Sequence, residues 1–166
     1  MKKLLTLLMT VTLLAAGFTS TSLSACAETD NTAHEKIISV TTEYFEDGSS
    51  VTIIVSEEST ALTRASTYSK SGSKHYVFSD QNNIEFWRFT VHGTFTVNPG
   101  ISVTCTEDSY SIEISDDTWH NESASTYHSG NQAIGDAAFV KKLLFIPIDT
   151  INCNVILSCD SNGNLS

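Results

Sequence analysis

Residues 84–97, IEFWRFTVHGTFTV, decide how the rest of this chain reads. In steps of two, Trp87, Phe89, Val91, Phe95 and Val97 share one face, while Arg88, Thr90, His92, Thr94 and Thr96 share the other. Alternation of this kind, rich in aromatic and β-branched residues, belongs to a strand with one buried face and one wet face. Gly93 stands where an apolar side chain is due, which predicts a bulge or a close neighbour. An aromatic face of this length requires a second layer to cover it.

Working outward, residues 73–79, SKHYVFS, predict a short strand turned by Gln81-Asn82-Asn83 into the central one. Residues 36–58 predict a hairpin about Asp47-Gly48, because Asp-Gly between two alternating runs favours the tight turn. Asn98-Pro99-Gly100 is a type II turn sequence leading into Ile101, Val103 and Cys105 on one face, continued by Tyr110, Ile112 and Ile114. Asp116-Asp117 marks a further turn. Residues 123–132 are weakly patterned and hydroxyl-rich, and 133–146 and 150–159 predict the last two strands, with Pro147 at their junction. Residues 59–67, rich in Ser, Thr and Ala, read as a linker or an irregular strand, and 28–35 as a flexible polar lead. Beyond the first residues no stretch holds a helical period over three turns. The expectation is an all-β, antiparallel β-sandwich of about eight or nine strands, Ig-like or jelly-roll-like. A lead and hairpin at 28–60 precede a sandwich domain at 61–166.

Residues 1–27 read as a secretory signal peptide: Lys2 and Lys3, then an apolar run from 4 to 18, then small residues. Two cleavage readings compete. Ala25-Cys26-Ala27 is an A-x-A site releasing a soluble chain that starts at Glu28. Leu23-Ser24-Ala25-Cys26 resembles a lipobox in which Cys26 carries the lipid anchor. Both place the mature chain outside the cytoplasm. Losing Lys2 and Lys3 leaves seven basic residues against 19 acidic ones, a net charge of −12. Such acidity argues against nucleic acid as a partner and against electrostatic docking to anionic membranes. No later apolar run is long enough to cross a bilayer as a helix.

Three cysteines follow the leader. Cys153 and Cys159 share a period-2 segment and lie roughly 20 Å apart in a strand, too far to bond each other. Cys105 therefore has either as a partner. Cys159 is favoured, because it ends the last strand, beside a turn where the backbone adjusts more easily. An oxidising exterior permits such a bridge.

Several segments also resemble one another's counterparts in a known group: SKSGSKHYVF from 69, FWRFTVHGTFTV from 86, VTCT from 103, DDTW from 116 and LSCDSNGNLS from 157. Together they are similar to small secreted proteins of gut Firmicutes, over residues 64–166. The resemblance implies a Gram-positive, extracytoplasmic setting. It carries no substrate or catalytic residue, and it matches Cys105 and Cys159 but not Cys153.

Signatures of chemistry are sparse. His34, His75, His92, His120 and His128 have no metal-ligand spacing, and no G-x-S-x-G marks a nucleophile. Asp116, Asp117, Trp119 and His120 form the one close acid–imidazole–aromatic cluster. It reads first as a solvated turn followed by a core Trp, and otherwise as a candidate for a cation, a small hydrolase or, through Trp119 with nearby tyrosines, a sugar platform. Asp160-Ser161-Asn162-Gly163-Asn164 reads as a turn rather than a calcium loop, since the distal Glu is missing. The run 143–148, LLFIPI, reads first as a strand buried on both faces; simple alternation cannot bury it whole, and the alternative exposes one or two of its side chains at a partner interface. The combined expectation is a non-enzymatic secreted or surface-tethered binding module without cofactor. Its partner is a protein or a cell-envelope glycan, and a carbohydrate-binding module is the alternative.

Overall fold

The computed structural model describes residues 35–58 and 67–166. The leader with Cys26, the lead up to His34 and the stretch 59–66 lie outside them. β1 (Glu35–Tyr44), β2 (Ser50–Glu58), β3 (Tyr68–Ser79), β4 (Glu85–Asn98) and β5 (Ser102–Ile114) form one antiparallel sheet in that order. β6 (Trp119–Ser129), β7 (Gln132–Leu143) and β8 (Ile146–Ser158) form a second, three-stranded one. The sheets face each other as a sandwich, and the expected all-β class holds. Each sheet is a simple meander, without the Greek-key crossings of Ig and jelly-roll sandwiches. The hairpin expected ahead of the sandwich supplies two strands of its larger sheet.

The alternation in β4 works as it reads. Trp87, Phe89, Val91, Phe95 and Val97 are fully buried and form the floor of the core. Trp87 stacks on Phe139 of β7 with ring centroids 3.8 Å apart, and Tyr76 stacks on Trp87 at 5.8 Å. Cβ-less positions let the sheets approach. A Cβ on Gly93 would lie 3.0 Å from that of Ala133, the close neighbour the sequence implied, and the register shifts just beyond, between Thr94 and Phe95. Turn chemistry also follows the residues. Gly48 and Gly100 take φ of +84° and +71°, and the Ile101 N–H closes the second turn onto the Asn98 carbonyl at 3.0 Å.

Three boundaries differ from expectation. β3 starts at Tyr68, because its hydroxyl-rich beginning is recruited by pairing along the whole of β4. β6 shows little pattern because, beyond Trp119, its inner side consists only of half-buried Ala124 and Thr126. The β7–β8 turn falls at Leu144-Phe145, ahead of Pro147, which sits opposite Lys142 near the start of an edge strand.

Gly135 of β7 is the tightest point between the sheets: an added Cβ would lie 2.3 Å from Val91 Cγ2 and 2.9 Å from the Phe89 ring. Gly135→Ala is expected to destabilise the fold by about 1–3 kcal/mol through overpacking, read as a lower urea midpoint at unchanged slope.

Candidate functional site

The acid–imidazole–aromatic cluster is not assembled. Asp116 holds its own turn, accepting from the Thr118 N–H at 2.8 Å and the Thr118 hydroxyl at 2.6 Å. The second bond is the main reason its carboxyl is held below the usual range. Trp119 is buried in the core, edge-on to Phe78. His120, the next residue of a strand, is exposed on the opposite side, as is Asp117 in the turn. A sugar platform built on Trp119 is therefore not formed. Lys141 Nζ instead lies over the Phe86 and Trp119 rings, 5.6 and 5.9 Å from their centroids. Asp160 likewise ties its turn, accepting from the N–H groups of Asn162 and Asn164 at 2.8 and 2.9 Å. Among the described residues no group of three or more His, Cys, Asp or Glu has metal-binding geometry.

The expected Cys105–Cys159 bridge is absent: Cys105, Cys153 and Cys159 are all free and buried. The parity was right and the direction of the thiols was not. Cys105 Sγ donates to the Glu107 carbonyl at 3.3 Å, and Cys159 Sγ to that of Asp160 at 3.5 Å, so each thiol turns to its own chain segment. The two backbones grip the same β6–β7 turn, Cys105 N–H on Gly130 O at 2.8 Å and Cys159 N–H on Asn131 O at 3.1 Å. Burial pushes the Cys153 thiol up to about 12 and Cys159 up to about 11, so both stay protonated and inert at neutral pH.

A polar lattice crosses the outer face of the five-stranded sheet. Glu35 on β1 accepts from the Ser56 hydroxyl on β2. His75 on β3 places Nε2 3.2 Å from both Ser56 Oγ and Glu35 Oε1, and Nδ1 2.9 Å from Thr90 Oγ1 on β4. His92 on β4 continues the row, with Nδ1 2.8 Å from Ser73 Oγ and Nε2 3.2 Å from Ser111 Oγ on β5. A shallow cavity of about 320 Å³ opens here, bordered by Glu58, Arg88 and Glu113. Thr90, His75 and Glu35 have the connectivity of a nucleophile, base and orienting acid. Thr90 is only 3% exposed, however, and sits mid-strand, where ladder bonding leaves no pair of free N–H groups to hold an oxyanion. The row is a cross-strand brace. Thr90 and His92 were legible as members of the polar face; Glu35, Ser56, Ser73 and His75 were missed as their partners, and only the register juxtaposing His75 with Thr90 and Ser73 with His92 could have found them.

The run 143–148 goes further than expected. All of its residues are exposed, with Leu144 at 83% and Phe145 at 95%. Both form the two-residue loop of the β7–β8 hairpin with φ of +48° and +71°, the pattern of a type I′ turn.

Two outcomes follow from these arrangements. Thiol labelling and peptide mapping should find Cys105, Cys153 and Cys159 unreactive in the native protein and all three alkylated after unfolding without reductant. Acid should weaken the brace in two steps. Burial, and secondarily His75, hold His92 below its ordinary value of 6.5. The unfolded chain thus takes up a proton near pH 6.5 that the folded one accepts only lower, and stability declines as pH falls from about 6.5. The Ser56 hydrogen bond, aided by His75, lowers Glu35 from 4.5. Its contribution is whole above about pH 4.5 and is lost as pH falls through the folded value. Calorimetry should show Tm falling through both windows, and His92→Gln should flatten the upper one alone.

No family model, no curated protein and no solved structure matches this chain.

Proposed function

We propose that this chain is a non-catalytic, secreted or surface-tethered β-sandwich that binds a protein or cell-envelope partner by seating its β7–β8 hairpin tip in an apolar acceptor. One observation carries the reading: Leu144 and Phe145 combine left-handed backbones with nearly complete exposure. A left-handed conformation costs an ordinary side chain about 1–2 kcal/mol. Asn-Gly would close the same loop without that cost. Neither side chain supports the fold, so the strain and the exposed apolar surface have their use outside it. Burying a Leu or Phe in an acceptor returns about 1.5–3 kcal/mol each. The satisfied histidine brace and the buried, protonated thiols support a role in binding rather than turnover.

The test sets stability against binding. Replacing Leu144→Asn and Phe145→Gly together should raise Tm by a few degrees, on the scale of about 2–4 °C per kcal/mol. The same variant should lose retention of labelled protein on Gram-positive cells and isolated cell-wall fragments. Undiminished retention would sink the tip as the binding element. Hydrolysis of any wall glycan or peptide in that mixture would overturn the non-catalytic reading.

A further inference from the structure

The three-stranded sheet is too narrow for the five-stranded one it covers. β8 packs over β3, so β2 and β1 continue past its free edge, and every residue of β1 is exposed. The backbone groups on that edge belong to the even-numbered residues. Ser158 shows this directly, exchanging hydrogen bonds of 2.9 and 3.0 Å with Ser166 of the C-terminal segment, and Lys74 Nζ caps the Ile156 carbonyl at 3.0 Å. By the same parity Asn154, Asn152 and Thr150 aim their main-chain groups outward, where β8 has no strand neighbour among the described residues. The Thr150 N–H alone is answered, by Asp149 Oδ1 at 2.8 Å.

Free edges usually carry a proline, a lysine or a bulge that blocks further pairing. On β8 such protection lies at the two ends: Pro147 and the register shift opposite Lys141 and Lys142 at the hairpin, and Lys74 on Ile156 with the Ser166 segment on Ser158 at the other. Residues 150–155 between them, TINCNV, contain none. The edge also overlooks two neighbouring hollows that share Tyr76. One, of about 590 Å³, has Phe45, Phe78 and Ile151 in its walls and Glu46, Asp47 and Asp149 at its rim. The other, of about 220 Å³, lies between Ile53, Lys74 and Val155.

We infer that the β8 edge is a strand-addition site. An extended polypeptide from a partner pairs antiparallel with residues 150–155, sinks an aromatic or branched side chain into the Phe45–Phe78 hollow, and sets a Lys or Arg against the acidic rim. Main-chain bonds hold the strand and the hollows select its side chains. The Ser158–Ser166 pairing shows that this edge accepts an antiparallel neighbour. A second copy is the poorer occupant, because pairing β8 with itself brings two acidic rims together on a chain of net charge −10. The site is separate from the hairpin tip, so either can fail alone.

A fluorescein-labelled, capped peptide Lys-Val-Thr-Phe-Thr-Val-Lys tests this by anisotropy, with the full chain. Binding is expected, weakened roughly tenfold or more when both Lys become Glu, and likewise when alternate peptide nitrogens are methylated and lose their N–H. Asn152→Pro, which removes one outward N–H, should weaken binding similarly. Amide exchange by NMR keeps the idea falsifiable should that variant fold poorly: the Asn152 and Asn154 amides should exchange fast in the free chain and slow when peptide is added. The Leu144→Asn, Phe145→Gly variant should bind the peptide unchanged. Absence of binding, equal binding of the methylated peptide, or binding without protection at Asn152 and Asn154 would each overturn the site. Protection that grows with protein concentration alone would overturn it in favour of self-pairing.

Discussion

Trp87 lying flat on Phe139, one ring from each sheet, is the contact on which this sandwich depends. Stacked aromatics add about 0.5–1.5 kcal/mol to the area they bury, and this pair anchors a cluster with Tyr76, Phe78 and Trp119. The cluster bears a cost, since the indole N–H groups of Trp87 and Trp119 are buried with no acceptor among the described residues. Large rings at one end of the interface demand small residues at the other. Gly135 against Val91, and Gly93 against Ala133, let the sheets close where the rings would otherwise hold them apart.

From that single seam follow the properties of the surface. Three strands cover β3 to β5 of the five, so β1 lies beyond the second sheet and is held by its ladder and by hydrogen bonds on the outer face. The brace from Glu35 through His75 to Ser111 therefore does what a hydrophobic face does elsewhere. The same mismatch leaves β8 with an open edge, while at the tip of the β7–β8 hairpin Leu144 and Phe145 meet solvent. A narrow second layer thus produces a braced edge and an open edge together.

Much of the architecture was legible because it is written in local periodicity. The buried face of β4, the close neighbour at Gly93, the Asn-Pro-Gly turn and the Asp-Gly hairpin all rest on residues within a few positions of one another. The candidate site was not legible in the same way. Asp116 to His120 are adjacent in the chain, yet Trp119 and His120 leave opposite faces of one strand. Cys105 and Cys159 both point inward, but parity is silent on whether two thiols point at each other. The brace joins side chains from five strands, and nothing in the spacing of two histidines announces their partners.

By itself the sequence determined that this chain makes alternating strands separated by tight turns, which residues of the central strand are buried, and that no familiar catalytic signature is present. Period-2 patterning and turn residues act over a few bonds, so they can be read in one dimension. The tertiary structure alone decided the five-to-three division of strands, the thiols left apart, the histidines joined across the sheet, and the hairpin tip and β8 edge left open. Each of these depends on the register and overlap of segments far apart in the chain, set by how large aromatic side chains and missing Cβ atoms fit together between two sheets.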